Sequence, residues 1–370
     1  MSSLNTNVRS AGLNSSWKWY LKNLTPPDKP VKVFSTFSCG GGSTMGYKLA
    51  GFEVIGNVEL DVAMNRMYVK NHHPRHNYNI DLRDFNKLTD LPEELYHLDI
   101  LDGSPPCSTF SMAGLREKSW GIEKRFREGQ KKQRLDDLFF VYLDTVKKLK
   151  PKVTIAENVS GILKGKAKGY INEILKIFAE LGYDVQIFQL NSAVMEVPQS
   201  RERVFFIANN QGYPKLKLNY HYPLIPFGAV RTAEGIPFQN ENSLYKKLLE
   251  QARPQDKKIA DVRARLGMRK NGFIHSIVSD NDVCPCSLAG GCKFRLYDGK
   301  YFSSGDYINV QTFPQDYDFC GNDVQYVCGM SVPPLMMKNI ALDVYKQWLK
   351  GALEHGDSTQ ENSGISPCPI

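Results

Sequence analysis

Apolar residues fall along this chain in short blocks whose spacing alternates between that of strands and that of amphipathic helices. The pattern predicts a strand over Val31–Phe37, a Gly-rich turn and a helix from Ser43 to Ala50, with further strands at Glu53–Val58 and Leu98–Leu101. Between Arg134 and Lys150, the residues Leu135, Leu138, Phe139, Tyr142, Leu143, Val146 and Leu149 recur at helical spacing, and Pro151 closes that helix. Val153–Ala156 reads as a buried strand. Ile171, Ile174, Leu175, Phe178 and Leu181 mark another helix, stopped at Gly182. Val185–Leu190 and Arg203–Ala208 are two more strands, expected to be neighbours. Such alternation predicts an α/β fold built on a doubly wound sheet.

The same pattern divides the chain. Residues 1–30 are rich in Ser and Asn, end in Pro26, Pro27 and Pro30, and read as an N-terminal arm with one short helix around Trp17–Leu24. Residues 31–208 form the α/β unit. Residues 209–298 lose the periodicity, are rich in Pro, Gly, Lys, Arg and aromatics, and carry helical signal only around Ser243–Ala252 and Asp256–Leu266, as a smaller, irregular unit would. Residues 299–350 return to a helical pattern at Pro334–Leu349, and 351–370 read as a disordered tail. No apolar run approaches the ~18 residues of a membrane span. The polar N-terminal stretch does not read as a secretory signal. Eight irregularly spaced cysteines do not suggest a disulfide framework, so a reducing cytoplasm is expected. With 47 Lys and Arg against 39 Asp and Glu, the net charge of +8 suits a polyanionic partner. Many enzymes without such a partner are equally basic.

Four segments carry candidate chemistry. The turn Phe37-Ser38-Cys39-Gly40-Gly41-Gly42-Ser43 lies between a strand and a helix, where backbone can approach a ligand and a helix N-terminus offers N–H donors; a tight connecting turn would use the same residues. Glu59 and Asp61 follow the second strand, placed to accept hydrogen bonds from ribose hydroxyls. In Asp102-Gly103-Ser104-Pro105-Pro106-Cys107, two prolines would fix the direction of a thiol at the carboxyl end of a strand. A lone cysteine is more often a small buried hydrophobe, and this position is what favours Cys107 as a nucleophile. Glu157-Asn158-Val159 leaves a buried strand, where a carboxylate is costly unless paired or used. Arg201 and Arg203 precede another strand and are read as facing opposite ways, one towards a phosphate and one into the site.

Taken in order, FSTFSCGGGSTMGYKLAGF, VELD, GSPPCSTFS, AENVSG, VPQSRERVFFIA and GMSVPP resemble the bacterial DNA (cytosine-5) methyltransferases, over about residues 31–208 and 299–349. The resemblance implies a Rossmann-like, S-adenosylmethionine-dependent catalytic domain with a smaller target-recognition domain at 209–298. It implies that Phe37, Gly41, Gly42, Glu59, Leu60, Asp81 and Ser331 serve the methyl donor, that Cys107 is the nucleophile, and that Glu157, Arg201 and Arg203 handle the cytosine. Leu60 takes a place where the family often has a larger residue packing on the adenine. The closing motif departs from the usual Gly-Asn-[Ala/Ser]-Val-Pro-Pro at Met330, which lacks the hydrogen bonds of an amide. Lys300 and Asp306 stand where Arg and Glu are common.

By that resemblance, the target cytosine in double-stranded DNA is flipped out and its C5 methylated through a Cys107–C6 covalent intermediate, with no metal required. Ser111–Gln133 would be a basic loop closing on DNA. A monomer acting in the bacterial cytoplasm is expected, alone or beside a separately encoded restriction endonuclease. Competing readings are a tRNA methyltransferase, whose Cys-Phe-Thr signature does not occur here, a catalytically dead DNA-binding protein, and a zinc module at Cys284, Cys286 and Cys292, whose spacing lacks a paired CxxC.

Overall fold

The computed structural model describes residues 17–106, 137–163 and 167–351. A central sheet is assembled from β1 (Lys32–Thr36), β2 (Glu53–Val58), β3 (His76–Tyr78), β4 (Ile100–Gly103), β5 (Val153–Val159), β6 (Asp184–Asn191) and β8 (Glu202–Asn209). Their order across the sheet is β3-β2-β1-β4-β5-β8-β6. All pairings from β3 to β5 are parallel, while β8 runs antiparallel to both of its neighbours. The two strands expected to be neighbours, at Val185–Leu190 and Arg203–Ala208, do pair.

Successive strand residues point to opposite faces, and both faces are apolar. On β8, Val204, Phe206 and Ala208 enter one core with Leu82 and Phe85 of α3 (Leu82–Phe85) and the apolar stripes of α4 (Leu138–Leu149) and α5 (Ala167–Glu180). Phe205 and Ile207 enter the other, under Tyr47 of α1 (Gly42–Leu49) and Leu335, Met336 and Ile340 of α10 (Pro334–Val344). The sheet is therefore wound on both sides, and α10 lies on the same face as α1. The last turn after α10, Tyr345–Leu349, is a π-helix.

Sequence periodicity missed α2 (Val62–His72) and β3. The helix has a weak apolar stripe and depends on its cap: the Asp61 carboxylate accepts from the N–H groups of Ala63 and Met64, at 2.9 and 3.1 Å. The strand is a three-residue edge segment, His-Asn-Tyr, with no alternation to read. The expected arm helix shrinks to one 3-10 turn at Leu21–Asn23, whose first N–H groups are taken by Asp316 rather than by a longer helix.

Beyond Asn209 the chain builds α6 (Leu244–Glu250), α7 (Ile259–Arg265) and the short strands β9 (Ser276–Val278), β11 (Lys293–Arg295) and β12 (Lys300–Tyr301) around a small core of Phe238, Leu248, Ile259, Val262, Ile277 and Phe294. Two further helices, α8 (Ser304–Gln311) and α9 (Val324–Met330), share a core with Met45, Met64 and Met67 of α1 and α2. Asp306 is fully buried, closes a capping box with Ser303 and lies 3.5 Å from the buried Arg295 guanidinium, which fits its place as scaffold. Finally, β7 (Gln199–Ser200) pairs in parallel with β10 (Cys284–Pro285), joining the irregular region to the segment just before β8. Among the described residues no helix is long and apolar enough to cross a membrane.

Candidate active site

Strand order reverses between β1 and β4, so a crevice opens beyond their carboxyl ends, where open α/β sheets bind ligands. A cleft of about 770 Å³, counting its mouth, lies there. Phe37 enters it from the end of β1, Glu59 and Leu60 from β2, Asp81 from just after β3, and Ser104 and Pro106 from β4. Cys39, Val58, Asp61, Met64, Ile80, Leu82, Leu138, Tyr326 and Met330 complete a mostly apolar wall. Four of the seven residues expected to serve the donor, Phe37, Glu59, Leu60 and Asp81, thus come together.

Glu59 is held by backbone. One carboxylate oxygen accepts from the Cys39 N–H and the other from the Asp61 N–H, both at 2.8 Å. Burial nonetheless pushes its carboxyl up to about 7, outweighing those donors. Asp81 caps α3 through the Arg83 N–H and pairs with the Arg83 guanidinium at 3.2 Å, which in turn reaches Asp137 at the start of α4. Both carboxylates are fixed before any ligand arrives.

The other three donor-site candidates lie behind the wall. Gly41 adopts a left-handed φ of 73° beneath His72, whose ring nitrogen would sit 2.2 Å from an added Cβ. Gly42 is pressed against the Val332 carbonyl, which leaves an added Cβ only 2.2 Å. Ser331 is buried and donates to the Val327 carbonyl at 2.8 Å. These residues shape the turn rather than line the cleft, and Tyr317 secures it by donating to the Gly40 carbonyl at 2.6 Å.

Around the corner of the sheet, Glu157 leaves β5 and Arg203 enters the reversed β8. Their side chains pair at 2.9 Å, Nε to Oε1, both partly shielded from solvent. Neighbouring Asn158 is buried; its side-chain amide donates to the Pro105 carbonyl at 3.2 Å, tying the exit of β5 to the turn after β4. That turn leads into Cys107, which lies outside the described residues, as does Ser111–Gln133.

Arg201 corrects an expectation. Rather than facing away from Arg203, it shares a side with it, as residues two apart on extended chain do. Its guanidinium is buried and donates to the carbonyls of Ser287 and Gly329, each at 3.0 Å. Both arginines approach the Cys286 sulfur, at 3.5 Å from Arg201 and 4.0 Å from Arg203.

Comparison with known proteins is decisive: the C-5 cytosine-specific DNA methylase family matches residues 31–346. The chain belongs to that family. It is similar to the Type II methyltransferase M.NgoPII of Neisseria gonorrhoeae, 35% identical over 205 residues, covering 55% of this chain and 54% of the relative. It also resembles M1.HphI of Haemophilus parahaemolyticus, 26% identical, with 89% and 90% covered. The chain spans about half the length of the first of these relatives. Among solved structures, a candidate DNA modification methyltransferase encoded in an E. coli prophage matches with a TM-score of 0.61 and 19% identity, over 86% of this chain and 99% of that one, a likeness of fold alone.

For this methylase-family chain, sequence reasoning overlooked Asn158 as a tie, Asp61 as a helix cap and Cys286 as a neighbour of both arginines. The first two carry a signal in hindsight, an Asn beside the motif carboxylate and an Asp ahead of a helix. Cys286 carries none, because its contact spans 83 residues. No group of three or more His, Cys, Asp and Glu side chains suited to a metal occurs among the described residues.

Proposed function

We propose that this chain transfers a methyl group from S-adenosylmethionine to C5 of a flipped-out cytosine within a specific short sequence of double-stranded DNA. The observation that carries the reading is the Glu157–Arg203 pair, tied through Asn158 to the turn before Cys107 and adjoining a cleft with nucleoside chemistry. A mostly apolar slot with carboxylates from Glu59, Asp61 and Asp81 suits a purine ring and ribose hydroxyls. Glu59 would accept from the ribose, Asp81 would face the adenine amino group, and Phe37 and Leu60 would flank the ring. When bound, the donor supplies an electrophilic methyl group on a sulfonium.

The remaining chemistry belongs to the chain. Cytosine C5 is a weak nucleophile until C6 is attacked, which breaks ring aromaticity and makes C5 enamine-like. The Cys107 thiolate makes that bond. As that bond forms, the Glu157 carboxyl gives its proton to N3 and takes it back on elimination, so negative charge does not accumulate on the ring, and Arg203 donates to the O2 edge. Their mutual pair holds both in register before the base arrives. C5 takes the methyl group with S-adenosylhomocysteine as the leaving group; loss of the C5 proton to water and departure of the Cys107 sulfur as thiolate then restore aromaticity. Extruding the base costs a few kcal/mol, which contacts from 209–298 and the basic loop would offset. The proposal includes a monomer acting in the cytoplasm, with or without a separately encoded endonuclease.

Bisulfite sequencing of plasmid DNA from cells expressing the protein should show protected cytosines in one sequence context, and Cys107→Ser should abolish them. A duplex carrying 5-fluorocytosine in that context should form a complex stable to denaturation only with intact Cys107 and donor. Binding of both ligands without such a complex would overturn the mechanism.

A further inference from the structure

Around the substrate-handling strand, cations outnumber carboxylates. Arg203 has Glu157. Arg201 and Lys293 are each at least nine-tenths buried, yet among the described residues neither has a carboxylate within ion-pairing distance. Arg201 spends its donors on two carbonyls, and its Nε has no partner. Lys293 donates to the carbonyls of Pro285 and Cys286, at 2.7 and 3.1 Å. A buried guanidinium without a counter-charge is costly. The ionisable group at the centre of these three cations is the half-buried Cys286 thiol, which also lies 3.5 Å from the Ser287 carbonyl.

We propose that Cys286 is a positioning residue of the catalytic centre, its sulfur accepting from Arg201 and Arg203 so that the Arg203 guanidinium stays turned towards Glu157. Burial alone would raise the thiol, but Arg201, Arg203 and Lys293 together bring it below its ordinary value. The contact also reports between regions. Cys286 belongs to the irregular segment, held by β10 pairing with β7 and by Ser287 N–H donating to Gln199 at 2.7 Å. Displacement of that segment would therefore loosen the grip on Arg203.

The inference rests on Arg203 serving the cytosine, and the test separates the two. Methyl transfer to the cognate duplex, with kcat and KM for DNA and donor, is compared for Cys286→Ala, Cys286→Val, Cys286→Ser and Cys286→Asp, with Arg203→Ala alongside and thermal melting as a check on folding. The expected result is a kcat fall of about tenfold or more in the Ala and Val variants with KM for the donor unchanged, and partial rescue by Ser or Asp, which restore an acceptor. A filler role predicts the reverse order, with Val or Ala nearest the parent, and that order would overturn the proposal. If Arg203→Ala is inactive while Cys286→Ala matches the parent, the positioning role falls and the substrate site stands. If Arg203→Ala is fully active, both fall.

Discussion

Glu59 illustrates how one side chain can be both fixed and poised. Two backbone N–H groups hold it, yet desolvation raises its carboxyl to about 7 from an ordinary 4.5. A ribose hydroxyl needs the ionised form as acceptor, so donor affinity should strengthen as pH rises through about 7. Calorimetric titration with S-adenosylhomocysteine should show this, and Glu59→Gln should weaken binding about tenfold or more and flatten the pH dependence. The linkage has a sign: the folded state holds its proton longer than the unfolded, so ionisation opposes folding between 4.5 and 7. Over that range, denaturant titrations should show Glu59→Gln gaining stability relative to the parent as pH rises. Met330 makes the opposite case, an apolar side chain on the cleft wall where the family commonly has Asn. Met330→Asn should bind S-adenosylhomocysteine at least as tightly as the parent; clearly weaker binding would show that the closing motif is misplaced. Glu59 and Glu157 were legible in the sequence because each lies at the end of an apolar run that can be read, whereas Asp81 follows the unreadable β3 and came only from the family resemblance. The side that Arg201 shares with Arg203 follows from their spacing of two, but the partners of Arg201, 86 and 128 residues away, were not legible.

At the level of elements, legibility followed hydrophobic contrast. Strands β1, β5 and β8 and helices α4 and α10 announce themselves through buried apolar positions, whereas α2 is specified by its cap and by three buried Met and Tyr side chains. Asp61→Ala should therefore cost about 1 kcal/mol in urea denaturation, through loss of two N–H partners. The turn into α1 is less forgiving. Gly41→Ala adds a Cβ against the His72 ring at a backbone conformation few side chains adopt, and should destabilise by about 2 kcal/mol or more. Shortening the neighbour in Gly41→Ala/His72→Ala should recover the steric part but not the backbone part.

For the molecule as a whole, Gln199 is a junction. It accepts from the Ser287 N–H and donates to the Val310 carbonyl and to the Gln311 side chain, linking the irregular region, α8 and the entry to β8. Gln199→Ala leaves all three buried partners short of a bond. It should lower stability by about 2–4 kcal/mol and raise KM for DNA more than KM for the donor. Neither the junction nor the two-residue β7–β10 pairing could be read from sequence, since such short polar contacts leave no periodic trace. The reversed strand has a consequence of another kind. Because β8 begins where β5 ends, acid and guanidinium meet across a ladder whose side chains alternate, and their encounter is a matter of parity. One residue added or removed just after Arg203, before the packed Val204–Ala208 run that sets the register, would leave the ladder able to zip closed while turning the cation to the far side of the sheet, so length variation there should be tolerated only in steps of two.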